Sequence, residues 1–373
     1  MFSRSLIIIC FVLAAFFGCR QEQPPVWELG VPFPKESIKI AVIYPNNVDR
    51  NSVYDYSHHL GILEMQRVSG IRDDQMIIKT NVFDRDPVAV EGAIRDSIAN
   101  GANIIIAASF GYMDVCVRMA EEFPTVVFAH ATGTQYNDRN LINYSLRNYQ
   151  ARYLSGIVAG LRTESNKIGY VAAWGMENSE VSAGLNAFAM GVESVNPHAE
   201  VYVAITYSWF DPMGETNAAN LLIEAGCDVI AQHSNTPMPQ IAAERAGVLG
   251  IGFNSDMSID APGAVISSVI LQWGAVYTRL VESVVDGTFL PEPKYLGLAE
   301  EAVDISPPRE NLAARGTNEA LEAARQRFRV GFNVFDGVIE ANDGRSIGEA
   351  GSTLPDHVIL GGINWYYRNI IEL

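Results

Sequence analysis

The sequence predicts an α/β protein made of two doubly wound lobes. Short apolar, β-branched runs alternate with segments of helical periodicity, the pattern of strands crossed over by helices. The alternation completes one domain-sized set over residues 38–147 and then begins again. The chain has 373 residues, 48% hydrophobic and 18% charged, enough for two cores of ordinary domain size.

Taken in order, Ile38 to Tyr44 is a strand, and a helix begins after Ser52, an N-cap type, with Tyr56, Leu60 and Leu63 on its apolar face. Met76 to Phe83 is the second strand. Val90, Ile94 and Ile98 recur at helical spacing, and Gly101 lies just past that helix. Asn103 to Ala108 is a continuous apolar run, as expected of a strand buried on both faces. A short helix leads to Phe123-Pro124 and the strand Thr125 to Ala129. The second set opens with a helix, Asn148 to Leu161, whose Ala151, Gly156, Ala159 and Gly160 allow close packing as a crossover. Lys167 to Ala173 is a strand, Glu180 to Val195 a helix stopped by Asn196-Pro197, and Val201 to Thr206 a strand ended by Asp211-Pro212. A helix from Met213, a strand Cys227 to Gln232, a strand Val265 to Ile270 and a helix Trp273 to Asp286 complete the pattern. Lobe 1 is expected over residues 38–147 with a return at about 255–293, and lobe 2 over 148–254. Residues 294–373 then form a C-terminal extension: an amphipathic helix over Asn311 to Arg329, a hairpin turn at Asn342-Asp343-Gly344-Arg345, and an aromatic end, Trp365-Tyr366-Tyr367, packed on a lobe.

The first eighteen residues read as a signal peptide, with Arg4 as the positive region and Leu6 to Phe17 as an apolar stretch too short for a comfortable span. Gly18-Cys19 reads as the end of a lipoprotein signal, although Phe16 and Phe17 stand where smaller residues are usual. Cleavage before Cys19 and lipidation of its thiol are expected, against an ordinary signal or an uncleaved anchor. Residues 19–37 form a polar, proline-containing tether. Cys116 and Cys227 sit in apolar contexts and read as buried thiols. No cysteine has metal-ligand spacing, and no cofactor motif is present. A net charge of −17 argues against nucleic acid, which needs a basic stripe.

The chemistry gathers in the loops after strands. These hold Tyr54, Phe110, Tyr112, His130, Trp174, Trp209, Phe210, His233, Phe253 and Asp256, with the amides Asn46, Asn47, Asn235 and Asn254. Ligands of open α/β sheets bind at that edge. Aromatic faces suit a flat heterocycle, and a few polar groups fix its identity. Trp209 and Phe210 point to opposite sides by alternation, and Trp209 is favoured for the ligand. Trp273, opening a helix, joins the candidate ligand-binding set. Each ring has a plainer reading as a lid on the core, each histidine as a structural one, and Asp256 as an Asx turn. The adjacent His58-His59 cannot share a helix face as metal ligands and reads as a solvated or pocket-edge pair. Gly344-Arg345-Ser346-Ile347-Gly348 matches G-x-S-x-G but lacks the strand and helix that a nucleophile elbow needs. The expectation is capture, not catalysis. The rivals are an α/β enzyme acting on a nucleoside and a sensing or adhesion lipoprotein.

Ordered motifs carry a resemblance over about Ile38 to Thr288. They include Ser109-Phe110-Gly111-Tyr112-Met113-Asp114, His130-Ala131-Thr132-Gly133, Ala151-Arg152-Tyr153-Leu154-Ser155-Gly156, Lys167-Ile168-Gly169-Tyr170-Val171, Trp209-Phe210-Asp211-Pro212, Asn254-Ser255-Asp256-Met257 and Asp286-Gly287-Thr288. In this order they resemble the basic membrane protein family, the substrate-binding lipoproteins of ABC importers related to the treponemal purine nucleoside receptor. The resemblance implies a type I periplasmic-binding-protein fold, two lobes joined by a hinge, with an ABC permease and ATPase as partners and a membrane anchor through lipid on Cys19. It implies a base sandwiched between Tyr54 and Trp209, and a ribose held by Asp256. A lysine that also holds ribose in nucleoside-binding members falls near Leu271 here. That departure keeps open a purine nucleoside, a free base such as adenine, or riboflavin, which a spirochaetal relative binds.

Overall fold

The structure is a computed structural model and describes residues 25–373; the signal and the Cys19 lipidation expectation lie outside the described residues. The first half contains β1 (Ile40–Ile43), α1 (Val53–Ser69), β2 (Met76–Lys79), α2 (Pro87–Ala99), β3 (Ile104–Ala107), α3 (Met113–Glu122), β4 (Val127–Ala131) and β5 (Leu141–Leu146). Then come α4 (Asn148–Arg162), β6 (Lys167–Ala172), α5 (Ser179–Glu193), β7 (Glu200–Ile205), α6 (Pro212–Glu224), β8 (Val229–His233), α7 (Met238–Ala246), β9 (Leu249–Gly252), β10 (Val265–Leu271) and α8 (Gly274–Val285). The remainder is β11 (Lys294–Leu296), β12 (Val303–Ile305), α9 (Thr317–Arg329), β13 (Ile339–Glu340), β14 (Ser346–Ile347), α10 (Asp356–Gly361) and β15 (Ile370–Glu372).

Two sheets organise these elements. The first has the order β11-β5-β4-β3-β1-β2, and all its pairs are parallel. The second has the order β12-β10-β9-β8-β6-β7-β15 and is parallel except for β12, which runs antiparallel to β10. Strands β1, β3, β4 and β8 are buried at every position, which is why their sequences run apolar without alternation. This is the two-lobed type I periplasmic-binding-protein architecture.

The second sheet corrects one boundary. The strand at Val265–Leu271 does not return to lobe 1; it pairs with β9 in lobe 2. The return begins one element later, when α8 packs on α1. There a Cβ on Gly61 would lie 2.7 Å from the backbone nitrogen of Gly274, so only glycine permits the approach. Strand β11 then joins the first sheet and β12 the second. The chain therefore crosses between lobes three times: from β5 to α4, from β10 to α8, and from β11 to β12. Backbone bonds tie these crossings together, Arg147 N to Leu296 O at 2.7 Å and Gln272 N to Ala302 O at 2.9 Å.

Helices α4 and α5 cover lobe 2. A Cβ on Gly156 would collide with the Phe188 carbonyl, and one on Gly191 with that of Tyr153. The C-terminal segment lies on the same lobe. Asn186 of α5 donates to Trp365 O at 3.0 Å and accepts from Tyr367 N at 2.8 Å, and β15 adds to the sheet beside β7. Ser346 of the G-x-S-x-G match lies in the exposed hairpin β13–β14, with no elbow geometry. Cys116 and Cys227 are buried free thiols.

Candidate ligand-binding cleft

The loops that follow the strands of the two sheets meet each other. Val53 N donates to Asn235 O at 3.0 Å, and Asn235 N donates to Trp209 O at 2.9 Å. The loop after β1 reaches further. Arg50 holds Asp260 side-on, Nε to Oδ1 at 3.1 Å and Nη2 to Oδ2 at 2.5 Å, and also donates to the Asp256 carbonyl at 2.9 Å. Thus lobe 1 and lobe 2 are bridged at the carboxyl ends of their strands, and the gap between the lobes is closed at its rim. Three residues with a Cβ, Thr132, Tyr207 and Asn254, hold positive φ in loops after β4, β7 and β9. Such strain gathers where loops are fixed by their surroundings at binding edges.

The residues expected at this edge divide. Tyr54 lies at the start of α1, half-buried, beside Val53 and its bond to the opposite lobe. Trp209 is half-buried and tilted against His233, with ring centres 5.9 Å apart. His233 is buried, rests edge-on against Phe253 at 4.4 Å, and its Nδ1 has no partner. Trp174 is half-buried with Nε1 unpartnered and lies edge-on to Tyr207 at 6.3 Å. Asn47 is exposed and accepts from Asn81 at 2.7 Å. Phe110 and Phe210 are exposed at the outer rim.

Others belong to the framework. Tyr112 is fully buried in the lobe 1 core, its hydroxyl donating to Val82 O at 2.5 Å, so it cannot face a ligand. Trp273 is buried, stacked on His58 at 3.9 Å, with Nε1 donating to Ser57 Oγ at 3.1 Å. His58 is itself fully buried and hydrogen-bonded to the Tyr277 hydroxyl, contrary to the solvated or pocket-edge reading; stacking on Trp273 outweighs hydration of a neutral ring. His130 is buried within β4, Nε2 against Ser109 O at 2.8 Å and the other face under Gly133. Burial holds its pKa down at about 4, hence neutral. Asp256 is half-buried at the edge itself: Oδ1 accepts from Ser258 N at 2.9 Å, an Asx turn capping a short turn of helix, and Oδ2 takes no part in that turn.

Several charged groups at this edge were missed from sequence; besides Arg50 and Asp260 they include Arg152, Glu180, Asp55 and Glu215. Arg152 is fully buried, its guanidinium 3.8 Å above the Phe253 ring, with Nη1 donating to Gln232 O at 2.6 Å. Its signal was available, since it is a charge inside a helix buried along residues 148–160. Half-buried Glu180 accepts from Asn148 at 3.0 Å, and burial pushes its carboxyl up to about 7. Asp55 is buried in lobe 1; Oδ2 accepts from Asn46 at 3.0 Å and Ser52 at 2.5 Å, Oδ1 has no partner, and burial raises its pKa to about 6. Glu215 ties the Trp209 loop to the next one. It accepts from Asp211 N at 3.3 Å, Ser234 Oγ at 2.8 Å and Thr236 Oγ1 at 2.7 Å. Among the described residues no group of three or more His, Cys, Asp or Glu could hold a metal ion.

Two lobes, three crossings and a ring-lined edge between them define a solute-binding protein. The chain belongs to the family described as ABC transporter substrate-binding protein PnrA-like, which matches residues 37–327. It is 32% identical to a purine-binding protein of Brucella abortus over 346 residues, covering 91% of this chain and 95% of that one. A protein of Haloferax volcanii named as an ABC transporter glucose-binding protein is 41% identical over 187 residues, 50% of this chain and 47% of that one. Among solved structures, a solute-binding protein of an ABC transporter from Conexibacter woesei superposes with a TM-score of 0.66 at 22% identity, covering 79% of this chain and 97% of its own. The role is therefore substrate binding for an ABC transporter, with a small-molecule ligand and the permease and ATPase subunits as partners, on the extracytoplasmic side. No helix among the described residues is long and apolar enough to cross a membrane.

Proposed function

We propose that this protein captures a purine base or nucleoside between its lobes, without catalysis, and delivers it to an ABC permease while held at the membrane by lipid on Cys19. The observation that carries the reading is the relay from Val53 through Asn235 to Trp209, which joins the Tyr54 jaw of lobe 1 to the Trp209 jaw of lobe 2. A flat ring between them satisfies both jaws only when the lobes are closed. Ligand and closure therefore favour one another through differential affinity, as hinge-bending requires. Ring stacking contributes on the order of 0.5–1.5 kcal/mol per ring pair beyond area burial. The purine-binding relative from Brucella abortus supports the choice of heterocycle. The buried Leu271, where a ribose-holding lysine is expected, favours a free base over a ribose contact there.

Calorimetric titration with hypoxanthine, adenine, guanosine, riboflavin and glucose tests this. A purine binding without turnover is the expected result. Glucose binding alone, or chemical conversion of a nucleoside, would refute it. Metabolic labelling with a fatty acid, compared with Cys19→Ala, tests the anchor; label retained by the variant would remove it.

A further inference from the structure

Stacking of a flat ring leaves Arg152 unexplained. Its Nη1 donates to Gln232 O at 2.6 Å, but Nε and Nη2 have no protein partner, and the side chain is 0% exposed. A buried guanidinium is costly unless its donors are met. The free pair is the side-on fork of the group, the same pair that Arg50 places on the two oxygens of Asp260. The fork has a defined place. Asn148 and Arg152 stand one turn apart on α4, and Glu180 and Gly184 one turn apart on α5. The upper turns are joined by Asn148 Nδ2 donating to Glu180 at 3.0 Å. At the lower turns, a Cβ on Gly184 would stand 3.2 Å from His233 Nδ1 and 3.5 Å from Arg152 Cγ, so the glycine lets both side chains pack close to α5, and His233 Nδ1 is itself unpartnered. Phe253 lies 3.8 Å from the guanidinium and supplies an aromatic face.

A fork with two parallel N–H groups calls for two adjacent acceptors, and a nearby carboxylate calls for a donor beside them. A flat ring offers that order as a ring nitrogen, an exocyclic carbonyl and a ring N–H. The 6-oxopurines carry it as N7, O6 and N1–H, and an arginine fork on O6 and N7 is a familiar pairing. The isoalloxazine ring of flavins carries the same order as N5, O4 and N3–H. A 6-aminopurine sets an amine where the carbonyl would be, so one N–H of the fork faces another donor. An anionic ligand would fill the fork too, but the Glu180 carboxyl, held by Asn148 one turn along α4 from Arg152, works against a second negative charge. Resting on the reading of the cleft as a clamp for a flat ring, we infer that Arg152 and Glu180 form a subsite that reads a lactam edge and selects 6-oxopurines, or flavins, over 6-aminopurines.

The test is calorimetry on the full chain with hypoxanthine, riboflavin and adenine. Hypoxanthine or riboflavin is expected to bind about ten- to a hundredfold more tightly than adenine, the range of one bidentate base contact. Whichever of the two binds identifies the source of the edge. Arg152→Met, which removes the buried charge and keeps the length, is expected to narrow the gap between that ligand and adenine to less than about threefold; circular dichroism checks its fold. The selectivity of the unaltered protein decides the matter even if the variant does not fold. Adenine binding as tightly as the other two would overturn the subsite and leave the clamp standing. Failure of all three to bind would overturn the clamp as well.

Discussion

Trp209 is fixed from three sides. Its carbonyl receives Asn235 N, its ring leans on His233, and Glu215 ties the flanking loops together. Such a ring is held in place before ligand arrives, so its removal costs contacts without a compensating gain in freedom. Trp209→Ala is expected to weaken ligand binding at least about tenfold, near 1.4 kcal/mol; unchanged affinity in calorimetry would put the clamp elsewhere. Asp55 gives a pH prediction. Its folded pKa of about 6 lies above the ordinary 3.8, with burial as the main cause. Between those values the folded state binds more protons than the unfolded one. The stability that Asp55 contributes is therefore present below the unfolded value and lost as pH rises through about 6. In Asp55→Asn, the amide oxygen keeps the bonds from Asn46 and Ser52, and its nitrogen takes the unpartnered side. Urea unfolding is expected to show the variant more stable than the parent by on the order of 1–3 kcal/mol above neutral pH, with the gap closing toward pH about 4. A gap that does not change with pH would mean the carboxyl is not perturbed. At this scale the sequence separated residue types better than orientations. Tyr54 and Trp209 announce themselves as rings at strand ends, but so do Tyr112 and Trp273, whose hydroxyl and N–H turn inward to Val82 and Ser57. Whether a ring turns up or down is settled by partners far away in sequence.

At the scale of elements, apolar runs made β1, β3, β4 and β8 legible because both faces of each are covered. Strand β5, Leu141–Leu146, escaped the same reading although all six of its residues are buried. Its Asn143, Tyr144 and Ser145 look like a loop. Asn143 finds the Gln135 carbonyl at 3.3 Å and Tyr144 the Tyr277 hydroxyl at 3.0 Å, so their polarity is met by tertiary partners. Strands β11, β12 and β15 were missed for a related reason: three residues each are too short to show a period. The small residues of α4 were legible, and the structure gives them a use in the α4–α5 contact. Gly156→Ala and Gly191→Ala each thrust a methyl group against a carbonyl oxygen of the facing helix. Each is expected to destabilise lobe 2 by roughly 1–3 kcal/mol, the usual cost of overpacking. Gly92→Ala, with nothing within 4 Å of the added Cβ, serves as the control and is expected to be neutral or slightly stabilising in thermal unfolding. Equal effects at all three positions would mean that helix propensity, not the α4–α5 contact, governs them.

The whole molecule is a hinge with a latch. Three crossings join the lobes at one side, and on the other Arg50 grips Asp260 and the Asp256 carbonyl across the rim. The rhythm of the sequence counted two lobes correctly but placed the return one element early. A strand and a helix in succession look alike whether they join the same lobe or not, and β10 is drawn to lobe 2 by its pairing with β9. The latch was not visible at all, because its partners are separated by 210 residues. Its energetic effect is bounded. The Arg50 side chain is 29% and that of Asp260 13% exposed, so water and salt screen the pair only in part. Pairs with that much solvent contact contribute about 0.5–1 kcal/mol. A contact made only in the closed state raises the closed fraction of the ligand-free protein, and apparent affinity scales with that fraction. Arg50→Ala should then raise the dissociation constant about two- to fivefold, mostly through faster release, because an open rim lets ligand leave before the jaws re-form. Small-angle scattering should show the ligand-free variant more expanded than its parent, and the two indistinguishable once ligand saturates them. Added salt should move the parent toward the variant and leave the variant unmoved, since only the parent has the ion pair to screen. Identical scattering and identical release rates for variant and parent would mean that the hinge crossings alone set the closed state and that Arg50 merely decorates the rim.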